Sequence, residues 1–68
     1  MNRPTEKQLT YINVLLDMHD KDGTLEDVIV EINPDLGEEE DFDEWIKRQS
    51  IRRASEIIDI LKENLKVG

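Results

Sequence analysis

Sixty-eight residues make one domain with a small core, since a chain this short buries only about 60% of the surface its unfolded form exposes. Seventeen acidic side chains against nine basic ones give a net charge of -8, which opposes non-specific attraction to nucleic acid or an anionic membrane. Cysteine is absent, so disulfides and thiolate zinc sites are excluded.

Core burial alone at this size rarely supplies more than roughly 3–5 kcal/mol, so stability has to come from regular helix packing or from association. With 37% hydrophobic and 38% charged residues, and Leu and Ile leading the apolar set, the composition suits a small helical domain. No apolar run approaches the ~20 residues that span a bilayer, and the opening MNRPTEKQ lacks the apolar region of a signal peptide. The expected setting is cytoplasmic, without membrane contact.

Pro4-Thr5-Glu6-Lys7-Gln8 reads as a helix start. Thr5 can accept from a first-turn amide while Gln8 reaches back, the reciprocal pair of a capping box. Leu9, Ile12, Leu15, Leu16 and His19 recur at helical spacing, with Tyr11 and Met18 widening the stripe, and predict a first helix over about residues 5–19. Gly23 suits the left-handed turn that ends it, and His19 is expected at its carbonyl terminus.

Thr24 offers a second cap, with Asp27 three residues on. Leu25, Val28, Ile29 and Ile32 fall at i, i+3, i+4 and i+7 and predict a short helix over residues 25–32. The competing reading is a strand through VIVEI, for which this chain hardly offers a partner. Asn33-Pro34-Asp35-Leu36-Gly37 breaks the pattern. Phe42, Trp45 and Ile46 give a third helix, over roughly residues 38–48, a narrow apolar edge. Ser50 can cap a fourth over about residues 50–65, where Ile51, Ala54, Ile57, Ile58, Leu61 and Leu65 keep helical period. Neither Gly nor Pro separates these two, so one long helix is the alternative. The predicted fold class is all-α: a single domain over residues 1–68, built as a small bundle of three to four short helices.

The chain changes sign within this second half. From Asp35 to Glu44 there are seven acids and no base, and then Lys47, Arg48, Arg52 and Arg53 follow with no acid among them. On a helix, acids first and bases last complement the dipole, and Asp43 with Lys47, Glu44 with Arg48 and Arg52 with Glu56 fall at i, i+4. The surplus at Glu38, Glu39, Glu40 and Asp41 exceeds what a cap needs. These four, with Trp45 as anchor, are the candidate partner-binding face. Lys47, Arg48, Arg52 and Arg53 are the candidate nucleic-acid contact, since Arg48 and Arg52 can touch one backbone from one helix face.

Catalytic chemistry is not written in these residues. His19 is the single histidine, and Ser50 and Ser55 sit where capping and packing account for them, so nucleophile, base and orienting group are not assembled. The expectation is a non-enzymatic protein without metal or cofactor. MHDKDGTLEDVIVE sets Asp residues two apart beside a Gly, as calcium loops do, but the register fails. With Gly23 at the sixth position, Met18 takes the first ligand place and Ile29 the glutamate place; with Asp20 first, Leu25 replaces the Gly.

Two stretches together carry a resemblance. TEKQLTYINVLL (Thr5 to Leu16) and SIRRASEIIDILKENL (Ser50 to Leu65) resemble the two ends of a small helical domain of phage, mobile-element and bacterial proteins. Thr5, Lys7, Gln8, Tyr11, Ile12 and Leu15 match its first half, and Ala54, Ser55, Ile58, Asp59 and Leu61 its second; together the stretches cover about 28 of the 68 residues. Here the linker is long and acidic, and Arg53 stands where an acidic or Gln capping partner would be expected. The resemblance implies a phage- or prophage-derived helical binding module, often attached to proteins that process nucleic acid, rather than an enzyme.

Three functions fit these readings. One is a protein–protein adaptor or modulator of a nucleic-acid-processing system, anchored by apolar residues beyond what a small core can bury, such as Tyr11, Val14, Val30 and Trp45. A second is an acidic mimic of nucleic acid that occupies the basic channel of a host DNA-binding enzyme. The third is direct nucleic-acid binding through the four bases, which the net charge disfavours. A homodimer is compatible with all three.

Overall fold

The computed structural model describes residues 3–36 and 40–65. Among them are four helices and no strand: α1 Glu6–Asp22, α2 Leu25–Ile32, α3 Phe42–Ile46 and α4 Ile51–Glu63, 72% helix in all. The chain is all-α, a small helical bundle. No helix of the described residues is long and apolar enough to cross a membrane.

Thr5 Oγ1 accepts from the Gln8 amide at 3.1 Å and Gln8 Oε1 from the Thr5 amide at 3.0 Å, so the expected capping box starts α1. The helix runs past His19 to Asp22, three residues beyond the sequence reading. Asp20, Lys21 and Asp22 are tolerated because they face solvent; only Gly23, at φ 76°, stops the turn. The amides of Gly23 and Thr24 then bond back to the carbonyls of Asp20 and His19 at 3.2 and 2.9 Å.

VIVEI is helix, not strand. Val28 and Ile32, four apart, are both buried, so the apolar face is used at helical period and the weak helix preference of β-branched residues is overridden by packing. Thr24 precedes α2 but makes no side-chain cap.

α3 is much shorter than the expected 38–48. Glu38 and Glu39 lie outside the described residues, Glu40 sits in a bend, and Asp41 is extended at φ -73°, ψ 139°. Glu40 and Asp41 therefore precede the helix, and the acids in the first turn of α3 are Asp43 and Glu44. The chain turns again after Ile46, with the amides of Arg48 and Gln49 bonding three residues back and Gln49 Nε2 donating to the Trp45 carbonyl at 3.0 Å. Ser50 Oγ, accepting from the Arg53 amide at 3.0 Å, starts α4 afresh. A cap separates the two helices where no Gly or Pro does.

Two long-range hydrogen bonds fix how α1 meets α4. Near the starts, Gln8 Nε2 donates to the Ile51 carbonyl at 3.2 Å; near the ends, His19 Nε2 donates to the Leu61 carbonyl at 2.8 Å. The helices therefore run parallel, and this pairing is the most extensive in the molecule. Ile12 and Leu15 meet Ala54, Ile57 and Leu61 in the core, and Val28, Ile32, Phe42 and Ile46 complete it. Arg53 Nη2 donates to the Ile32 carbonyl at 3.1 Å and Asn64 Nδ2 to Glu31 Oε2 at 2.8 Å, so α4 holds the end of α2 from both directions.

Candidate functional site: an acidic groove between α1, α2 and α3

On α1, Asn13, Asp17 and Asp20 follow one another at four and three residues and form a polar flank beside Leu16. On α2, Leu25 and Ile29 share a face one turn apart. The fold sets these two surfaces against the start of α3 and leaves a groove of about 540 Å³ between them. Leu16, Leu25, Ile29 and Phe42 line its apolar floor, while Asp17, Asp20, Asp41 and Asp43 stand around the rim. Phe42 is buried, the other three floor residues are half-buried, and all four aspartates are exposed.

The rim is acidic and only partly compensated. Asp17 pairs with Lys21 at 3.3 Å, a solvent-exposed contact worth at most about 0.5 kcal/mol. Asp20, Asp41 and Asp43 form no ion pair among the described residues. Nor do three such ligands converge anywhere among those residues to hold a metal ion. The charge is spread along an opening rather than focused on a point.

Among the described residues of the sequence-derived partner face, only Asp41 lies on this groove. Glu40 is turned to Arg48, with which it forms an ion pair. Trp45 is half-buried: its ring packs against Phe42 at a centroid distance of 5.3 Å, tilted by 43°, on the edge of the core. Glu38 and Glu39 fall outside the described residues. Asp17, Asp20 and Asp43 were not part of the partner face read from sequence. The flank on α1 was visible in its spacing, but what faces it is a tertiary fact.

The basic residues are distributed differently from the i, i+4 expectation. Lys47 pairs with Glu44 at 3.7 Å rather than with Asp43, and Arg48 binds Glu40 while its Nη1 donates to the Glu44 carbonyl at 3.4 Å. Arg53, not Arg52, reaches Glu56, at 3.3 Å, and its other nitrogen holds α2. Lys47–Glu44 and Arg53–Glu56 are i, i+3 neighbours, the other spacing that one helix face allows, whereas Arg48 reaches Glu40 because it lies past the end of α3, where the chain turns. Arg52 alone of the four has no ion pair among the described residues.

His19 is wholly buried, and both ring nitrogens are engaged. Leu61 O can only accept, so Nε2 carries a hydrogen and donates to it; Nδ1 is hydrogen-bonded to the Thr24 hydroxyl, 2.7 Å away. That hydroxyl has one hydrogen, and the 3.4 Å contact to the His19 carbonyl is the weaker claim on it. His19 does meet a helix carbonyl terminus, as expected, but that of α4 rather than its own. Through Thr24 it also fixes the corner from which Leu25 enters the groove.

Several apolar side chains remain outside the core. Tyr11, Val14 and Met18 are 41%, 49% and 45% exposed and form a line on the outer side of α1; Val30 is 60% exposed on α2. In comparisons with known proteins the chain matches no family model, no curated protein and no solved structure. The functional reading therefore rests on the chain's own geometry.

Proposed function

We infer that this protein is a small acidic, non-enzymatic binding module that acts as a protein–protein adaptor or modulator, with the groove between α1, α2 and α3 as its contact surface. The observation that carries this reading is the pairing of an apolar floor, which continues outward from the core through Leu16, Ile29 and Phe42 to Leu25, with an acidic rim largely without ion pairs among the described residues. The engagement of His19 within the fold supports it, because the one imidazole is already bonded on both sides and buried away from the groove's aspartates. The resemblance of the first and last helices to phage and mobile-element domains extends the proposal to a partner that processes nucleic acid. Direct nucleic-acid binding is less well supported, since Lys47, Arg48 and Arg53 are already held by neighbouring acids or carbonyls.

Affinity capture with the tagged chain, read by mass spectrometry, tests the reading. A protein retained by the wild type and released by Asp20→Asn/Asp41→Asn/Asp43→Asn supports it. Retention of nucleic acid alone, lost on Arg48→Ala/Arg52→Ala, would replace it with the direct-binding reading. If no protein is retained above the untagged control, the adaptor reading fails.

A further inference from the structure

The groove's floor and rim together select a kind of occupant. We propose that it receives a cationic amphipathic helix of the partner, apolar side chains on the floor and Lys or Arg side chains toward the rim aspartates. The proposal rests on the protein-binding reading above and names the partner's chemistry.

Leu25 gives the first reason. Leu16 and Ile29 pack against the core from the groove side, but Leu25, half-buried, is not among the residues that do so. Its side chain lies on the floor without packing on the core, so part of its apolar surface is open to the groove, which can hold several side chains. The second reason is charge complementarity. Four aspartates line the opening, and three of them lack an ion pair among the described residues, on a chain of net charge -8. A basic partner is drawn in at long range and an acidic or nucleic-acid one is repelled. A point cation is a poorer fit, because the carboxylates do not converge.

The third reason selects a helix over a docked β-strand. A docked strand needs a sheet edge to satisfy its backbone, and the described residues contain no strand. A helix satisfies its own backbone and needs only grooves between side-chain ridges, which α1 and α2 provide.

The test uses the full chain and a labelled synthetic peptide of about 18 residues, roughly 27 Å as a helix, with Leu at i, i+3, i+4 and i+7 and Lys elsewhere. A peptide of the same composition in scrambled order is the control, and fluorescence anisotropy gives the affinity. Neutralising the three unpaired rim charges in Asp20→Asn/Asp41→Asn/Asp43→Asn is expected to weaken binding about tenfold, since each exposed pair contributes little singly. Neutralising three acids elsewhere, in Glu6→Gln/Asp59→Asn/Glu63→Gln, should change it less than about twofold once charge is screened at moderate salt. Leu25→Gln, which leaves the core intact, should weaken binding several-fold.

Equal loss in the two charge triples, or equal binding of the scrambled peptide, would overturn the proposal in favour of bulk charge attraction. So would no measurable binding of the amphipathic peptide. Circular dichroism on each variant confirms that it is folded. The two levels separate cleanly: a cellular partner that is captured but indifferent to the rim triple and to Leu25→Gln leaves the adaptor reading standing and removes the helix-in-groove inference. Failure to capture any protein removes the adaptor reading itself.

Discussion

Replacing His19 by Phe is the sharpest test of what holds the groove's frame. The ring volume is roughly kept and the hydrogen bonds are lost. Leu61 is one of the last residues of α4, whose terminal carbonyls have no intrahelical donor, so its oxygen depends on His19 Nε2 at 2.8 Å. A buried carbonyl left unsatisfied costs about 1–3 kcal/mol, and the lost Nδ1 bond to Thr24 adds roughly 0.5–1.5 kcal/mol. The expected loss is therefore about 2–4 kcal/mol. A 68-residue domain has roughly 3–10 kcal/mol of stability in total at ~0.05–0.15 kcal/mol per residue, so His19→Phe should bring it close to its unfolding threshold. Urea titration followed by far-ultraviolet circular dichroism and Trp45 fluorescence measures this, with the midpoint falling and the slope unchanged. His19→Gln keeps an amide donor that can reach the Leu61 carbonyl, so it should recover part of the loss, and Thr24→Val should cost about 1 kcal/mol. If His19→Phe loses less than about 0.5 kcal/mol, or if His19→Gln is no better than His19→Phe, the ring serves by filling space and the hydrogen-bond argument is wrong.

Arg52 and Arg53, adjacent in sequence, should behave differently. Arg53→Ala removes the donor to the Ile32 carbonyl and the pair with Glu56, and is expected to cost about 1–2 kcal/mol by the same urea assay, whereas Arg52→Ala should fall within about 0.5 kcal/mol of wild type. Gly23→Ala should destabilise by about 1–2 kcal/mol from the left-handed backbone alone, because an added Cβ meets nothing within 4 Å. In the same unfolding assay Gly23→Asn should cost less, since Asn tolerates that conformation better.

The helices were legible because their signals are local. The Thr5–Gln8 capping box, the Ser50 cap, Gly23 and the apolar spacing of α1, α2 and α4 each depend on residues within a turn or two, and the structure bears each of them out. The charge flip from Glu38 to Arg53 was harder to read. Its i, i+4 pairs gave way to i, i+3 pairs at Lys47–Glu44 and Arg53–Glu56, and Glu40 finds Arg48 through the turn after Ile46, a geometry that spacing does not encode. The groove shows the same division more strongly. The sequence reading drew the apolar stripe of α1 through Leu16 and the face of α2 that carries Leu25 and Ile29, but not the polar flank of Asn13, Asp17 and Asp20. Only the tertiary arrangement brought those faces together with Asp41, Phe42 and Asp43, residues between 12 and 30 positions away in the chain. Helix periodicity is a property of consecutive residues and so can be read from them; which faces meet depends on how the core is shared among helices. His19 and the parallel pairing of α1 with α4 settle that here.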